Sequence, residues 1–243
     1  MPLGPASLPA MTSTTSDLVL IPGLWLPGSV WDPVVERLAA AGVDAVVPVL
    51  PGVDVPGPAT LDDQLAAVLA AVDAADSPVV VGHSAAAGLA WLVADRRPEH
   101  VRRAVLVGGF PSGDGDTYAD FFPVVDGAMP FPGWEPFEGP DAADLDAAAR
   151  SALAATTVAV PAGVSQAVVH LHDERRHAVP VTLVCPEFSA EEARGWIRDG
   201  DLPELARVSD LTVVDVDSGH WPMVTRPAEL TALLVAAAET PRR

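Results

Sequence analysis

The sequence predicts an α/β protein: a mostly parallel sheet of about six strands flanked by helices, with a helical cap inserted after the strand near 103–108. Three observations carry this. Short β-branched runs alternate with Ala- and Leu-rich stretches, the pattern of a sheet covered on both faces. Runs such as Val79-Val80-Val81 are apolar without a break, as a strand buried on both sides requires. The alternation is interrupted once, between Pro111 and about Val179.

Taken in order, strands are expected at 17–22, 45–49, 78–82, 103–108, 181–185 and 211–216. Helices are expected near 30–41, 61–75, 85–95, 190–198 and 226–238, the last with Pro227 in its first turn, where a missing N–H costs nothing. The interrupting stretch holds Phe121, Phe122, Phe131, Trp134 and Phe137, then an Ala-rich helical part over 141–157. An insertion at this point folds over the carboxyl edge of the sheet, where open α/β sheets bind ligands. Its clustered aromatics favour a substrate-covering lid over a plain helical excursion. The expected organisation is therefore a tail at 1–16, a core at 17–110 and 180–243, and a cap at 111–179. The tail is rich in Pro, Ser and Thr, lacks the basic and apolar regions of a signal peptide, and leaves Met11 as an alternative start. A cytoplasmic protein is the default expectation.

Composition excludes several classes. A net charge of −19 argues against nucleic acid and anionic membrane as partners, and no apolar run reaches the roughly 18 residues of a membrane span. The chain has no lysine, so neither a Walker-type phosphate loop nor a Schiff base can form. The single cysteine, Cys185, ends an apolar strand and reads as a buried, inert thiol. His170 and His172 form a pair without a third metal ligand, and the glycines at 108–115 do not fit a dinucleotide loop. No cofactor is expected; the expected partner is a small-molecule substrate.

Residues 79–88 read strand, sharp turn, helix, with Ser84 at the apex of Gly82-His83-Ser84-Ala85-Ala86. Such an elbow strains its central residue and needs small neighbours, which Gly82 and Ala86 supply. A serine N-cap is the plain alternative; the context favours a nucleophile. His83 is expected to pack rather than act as base. Asp217-Ser218-Gly219-His220-Trp221-Pro222 forms the loop after the last strand, and a histidine there can reach a serine raised on another strand's elbow. His220 is the candidate base; His100, His170, His172 and His177 lack such placement. The loop after the first strand, Ile21-Pro22-Gly23-Leu24-Trp25-Leu26, offers the Leu24 N–H as an oxyanion donor beside that of Ala85.

These three segments together resemble the α/β-hydrolase superfamily, particularly its branch of small esterases and hydroxynitrile lyases with a His-Gly-Ala-Trp loop, here with Pro22 in place of the histidine. The resemblance implies the chain order serine, acid, histidine, with an aspartate shortly after the 181–185 strand. Ser189 occupies that position. Glu187 is the nearest carboxylate and the first choice; Asp114 or Asp116 is the rival, Glu191 and Glu192 suit a helix start, and a serine–histidine dyad stays open. The expected substrate pocket comprises Trp25, His83, Phe110, Phe131, Trp134 and Trp221. The cap, read as aromatic and cation-free, implies an uncharged, fairly apolar substrate whose ester, thioester or lactone is cleaved through an acyl-Ser84 intermediate. A C–C hydrolase, lyase or cyclase on the same fold is the alternative, as is a ligand-binding protein; members with an aspartate nucleophile, and lyases that need a lysine, are disfavoured.

Overall fold

In a computed structural model, the structure describes residues 17–240; the tail expected at 1–16 lies outside them. The chain begins with β1 (Leu18–Ile21), a 3-10 turn (Gly28–Trp31), α1 (Asp32–Ala40), β2 (Ala45–Val46) and α2 (Leu61–Ala74). It continues through β3 (Val79–His83), α3 (Ala86–Arg96) and β4 (Arg103–Val107). The 111–179 stretch contains β5 (Ala128–Met129), α4 (Ala147–Thr156), β6 (Val160–Pro161) and α5 (Ala162–Ser165). The chain then returns as β7 (Val181–Cys185), α6 (Ala190–Asp199), α7 (Pro203–Ala206), β8 (Leu211–Asp215), α8 (Pro222–Thr225) and α9 (Pro227–Glu239).

Six strands form one parallel sheet in the order β2-β1-β3-β4-β7-β8, and β5 pairs antiparallel with β6 in a separate short ribbon. Because strand side chains alternate, each strand feeds two cores. Val19, Ile21, Val80, Ala104, Leu106 and Leu183 face one layer, with α2, α3 and α6. Leu18, Leu20, Val79, Val81, Val105 and Val107 face the other, with α1 and α9. Burying both faces explains why β1, β3 and β4 lack polar alternation; each such Val or Leu contributes about 1.5–3 kcal/mol. The register runs Val81↔Val105, Leu106↔Leu183 and Val184↔Val214, so the carboxyl ends of β3, β4, β7 and β8 emerge on a common edge.

Differences from the expected boundaries have local causes. β2 stops at Val46 because Pro48 has no N–H to give a ladder, and Val49 is exposed. β4 stops before Gly108, whose φ of +60° leaves the β region. Among the described residues no helix is long and apolar enough to cross a membrane. Cys185 is buried, and that burial, with Asp215 nearby, pushes its thiol up to about 12.

Beneath α3 lies a buried charge network. Glu204 accepts hydrogen bonds from Trp91 Nε1 (2.9 Å), Arg176 Nε (2.8 Å) and His177 Nε2 (3.0 Å), while Asp95 accepts from the backbone N–H groups of His172 and Asp173. It ties the helix behind the elbow to the segment re-entering the sheet. Glu204→Ala strands three donors in a buried site and is expected to cost about 3–5 kcal/mol. Glu204→Gln, which keeps an acceptor, is expected to cost less; urea unfolding midpoints of the two variants check the order.

Candidate active site

Ser84 follows β3 with φ +55°, one of four described non-glycine residues at positive φ. Its N–H extends the parallel ladder by donating to the Val107 carbonyl at 2.8 Å, and its carbonyl accepts from Ala87 N–H at 2.9 Å, opening α3. The turn is possible because three glycines crowd it. A Cβ at Gly82 would overlap the Ala86 carbonyl, one at Gly109 would overlap the Ser84 carbonyl, and one at Gly23 would sit 2.6 Å from His83 Nδ1.

His220, after β8, and Glu187, after β7, meet on the same edge: His220 Nδ1–H donates to Glu187 Oε1 at 2.7 Å, both side chains largely buried. That bond leaves Nε2 unprotonated, the tautomer a base requires. Gly108 makes room for the pair, since a Cβ there would lie 3.3 Å from both Glu187 Oε2 and His220 Nδ1. Asp114 lies elsewhere: it is exposed, accepts the Leu171 N–H at 2.9 Å and stands 4.0 Å from His170 Nδ1. Asp116 likewise closes a local turn through Gly113 N–H. Ser189, at the position where the resemblance implies an aspartate, caps α6: its Oγ accepts from Glu192 N–H, and Glu192 accepts from Ser189 N–H. Glu191 and Glu192 thus sit at a helix start.

The loop after β1 turns sharply, with Leu26 N–H reaching the Gly23 carbonyl at 3.3 Å and Trp25 at φ +64°. Neither the Leu24 nor the Ala85 amide donates to another described residue, so both are available to a ligand oxygen. Trp25 is doubly tied to the 111–179 stretch. Its Nε1–H donates to the Met129 carbonyl at 3.1 Å, and its own carbonyl accepts from Val158 N–H at 2.8 Å.

Ser84 and His220 border a cavity of about 230 Å³ walled by Leu24, Trp25, Leu26, Phe121, Phe122, Phe131, Trp134, Phe137, Leu153, Thr157 and Trp221, with His83 at its base. No Asp, Glu or Arg is on its wall. Four of the aromatics expected in a lid, Phe122, Phe131, Trp134 and Phe137, pack onto Trp25, Trp221 and one another at centroid distances of 5.3–6.1 Å. Phe110 stands off the wall of this cavity, in an adjoining cleft that Ser84, Ala85 and Glu187 also line, against Phe188 (5.2 Å) and Trp196 (5.8 Å). The stretch is also not free of cations: Arg150 stands 5.7 Å from the Trp134 ring, off the cavity wall. Leu26, Leu153 and Thr157 carried no sequence signal, being ordinary apolar or small residues made adjacent by folding.

His83 is buried; its Nε2–H donates to the His220 carbonyl at 2.7 Å and its Nδ1 is unpartnered. Burial, then the charge of neighbouring His220, lowers it to about 3, so it stays neutral and structural. Burial also raises the Asp141 carboxyl, against the pull of His220 and with a push from Glu187. Among the described residues no three His, Cys, Asp or Glu side chains gather as a metal site.

Residues 18–233 match the alpha/beta hydrolase family. The chain belongs to that family. Solved structures share the fold of this α/β-hydrolase at low identity. An extracellular α/β-hydrolase from a Paenibacillus species is 17% identical with a TM-score of 0.74, over 92% of this chain and 99% of that one. A pyrethroid hydrolase from Sphingobium faniae is 20% identical (TM-score 0.66, covering 94% and 99%), and a methylesterase from Arabidopsis 16% (0.69, covering 90% and 97%). No curated protein matches the sequence.

His83 makes acid sensitivity testable. Below pH 6.5 the unfolded chain takes up a proton that folded His83 refuses until about pH 3. Its contribution therefore lowers stability as pH falls through that window, by about 1.4 kcal/mol per unit. In His83→Gln, which still offers an N–H to the His220 carbonyl, the pH dependence of the urea midpoint should be shallower between pH 6 and 4 by roughly that slope.

Proposed function

We propose that this α/β-hydrolase is a serine hydrolase that cleaves an ester, thioester or lactone of an uncharged, largely apolar small molecule. One observation carries the reading: a Glu187–His220 pair converges with the strained Ser84 on a cavity whose wall holds no formal charge apart from the base itself.

In this reading His220 Nε2 takes the Ser84 proton as Oγ attacks the substrate carbonyl, and Glu187 stabilises the resulting imidazolium. The Leu24 and Ala85 amides face the oxyanion, reinforced by the N-terminus of α3. Collapse of the tetrahedral intermediate expels the alcohol or thiol, which takes the proton from His220. Water then adds to acyl-Ser84 by the same steps in reverse. A cavity of about 150 Å³ holds benzene; at about 230 Å³, this one suits a substituted ring or a compact branched alkyl group. The neighbours named as a pyrethroid hydrolase and a methylesterase point the same way.

A fluorophosphonate probe is expected to label the wild type at Ser84 and to leave Ser84→Ala unlabelled; an unreactive wild type would sink the assignment. Glu187→Ala should lower kcat on p-nitrophenyl acetate about a thousandfold or more. Asp114→Ala should stay within about twofold of wild type, as a surface change.

A further inference from the structure

We propose that Asp144, on the cap, is a positioning residue for the base, holding the Gly219-His220 peptide so that the imidazole faces Ser84. The inference rests on the serine-hydrolase reading and adds to it a residue that carries no motif.

The backbone of His220 is gripped at both ends. Its N–H donates to the Asp141 carbonyl at 2.7 Å, and its carbonyl accepts from His83 at 2.7 Å. One residue earlier, Gly219 N–H donates to Asp144 Oδ2 at 2.9 Å, a charge-assisted bond of the stronger kind. The loop lies flush on this cap segment: a Cβ at Gly219 would overlap both the Asp141 carbonyl and Asp144 Oδ1. The segment is itself held. Arg150 of α4 donates to the carbonyls of Ala142 (2.7 Å) and Leu145 (3.1 Å), bracketing Asp144, and both residues are buried in the core.

Asp144 Oδ1 is buried without a hydrogen-bond partner. An orphaned carboxylate oxygen costs stability, and asparagine at this position would relieve that cost while keeping an acceptor for the Gly219 amide. In Asp144→Asn the amide oxygen can keep the Gly219 bond, while its N–H₂ group replaces the orphan beside the Asp141 carbonyl. In Asp144→Ala the Gly219 amide loses its acceptor and nothing else on the loop replaces it. Asp146 supplies the contrast, since its carboxylate caps α4 through Ala149 N–H at 2.8 Å and does not touch the base loop.

The test uses the full chain. On p-nitrophenyl acetate, Asp144→Ala is expected to lower kcat about ten- to hundredfold with KM within about twofold, the scale of a small misplacement of a reacting group. Asp144→Asn should recover at least half of the wild-type kcat, and Asp146→Ala should change kcat by less than about twofold. Proton NMR reads the same point without turnover: the downfield Nδ1 proton of His220 should shift or broaden in Asp144→Ala and hold its position in Asp144→Asn. Unchanged kcat together with an unmoved resonance in Asp144→Ala overturns the proposal. So does an Asp146→Ala loss equal to that of Asp144→Ala, or an Asp144→Asn as impaired as the alanine variant. A wild type that neither hydrolyses nor labels defeats the hydrolase reading, and the NMR comparison then decides the role of Asp144 on its own. If Asp144→Ala does not fold, Asp144→Ser, too short to reach the Gly219 amide, takes its place.

Discussion

A serine held in the left-handed backbone region is the constraint around which this protein is arranged. Ser84 at φ +55° carries strain of the order of 1–3 kcal/mol, and it persists because its neighbours leave no other path. The N–H of Ser84 is tied to the end of β4, its carbonyl opens α3, and Gly82, Gly109 and Gly23 bring three backbone segments into contact with the turn. The same contacts set what can stand nearby. Gly108 turns to positive φ and clears space for Glu187 and His220, and Phe110 lines a cleft adjoining the main cavity. The geometry of Ser84 thus reaches Glu187, His220 and the shape of the pocket through backbone packing.

The second organising feature is that the 111–179 stretch holds both the loop after β1 and the loop after β8. Trp25 fastens the loop bearing Leu24 to Met129 and Val158, while Asp141 and Asp144 fasten the loop bearing His220. The aromatic wall completes the attachment, with Phe131 and Phe137 on Trp25 and Trp134 on Trp221. The stretch is poorly suited to swing as an independent lid, because opening it would break hydrogen bonds at the candidate site itself. Access to the cavity is better sought at its rim, where Phe121 is exposed.

Much of the fold was legible because its causes are local. Uninterrupted Val runs mark strands buried on both faces, and Pro227 marks the start of α9. The capping boxes of Thr60 with Asp63 and of Ser189 with Glu192, at the starts of α2 and α6, were local as well but were not read from the sequence. The elbow was equally legible, since a serine strained between a strand and a helix sterically requires small residues on both sides. That Phe110 lines the adjoining cleft and not the main cavity was not legible, because hydrophobicity and sequence proximity do not say which way a side chain will turn. Arg150, outside the aromatic run, showed no sign in sequence that its charge would be directed at two carbonyls and a Trp face.

The sequence by itself determined the parallel sheet, the serine on its strained turn and the histidine on the last strand's loop. These follow from strand periodicity, residue size and short-range order. Only the tertiary structure brought one of the candidate carboxylates to His220. Glu187 stands within hydrogen-bond distance of His220, Asp114 is held at the surface by Leu171 N–H, and Ser189 is engaged as a helix cap. It also brought Asp141 and Asp144, remote in sequence, against the backbone of the loop bearing His220. The reason is physical: which polar groups meet depends on how the 111–179 stretch and the strand-end loops close over one edge, and that closure is set by packing among segments 33 residues apart or more.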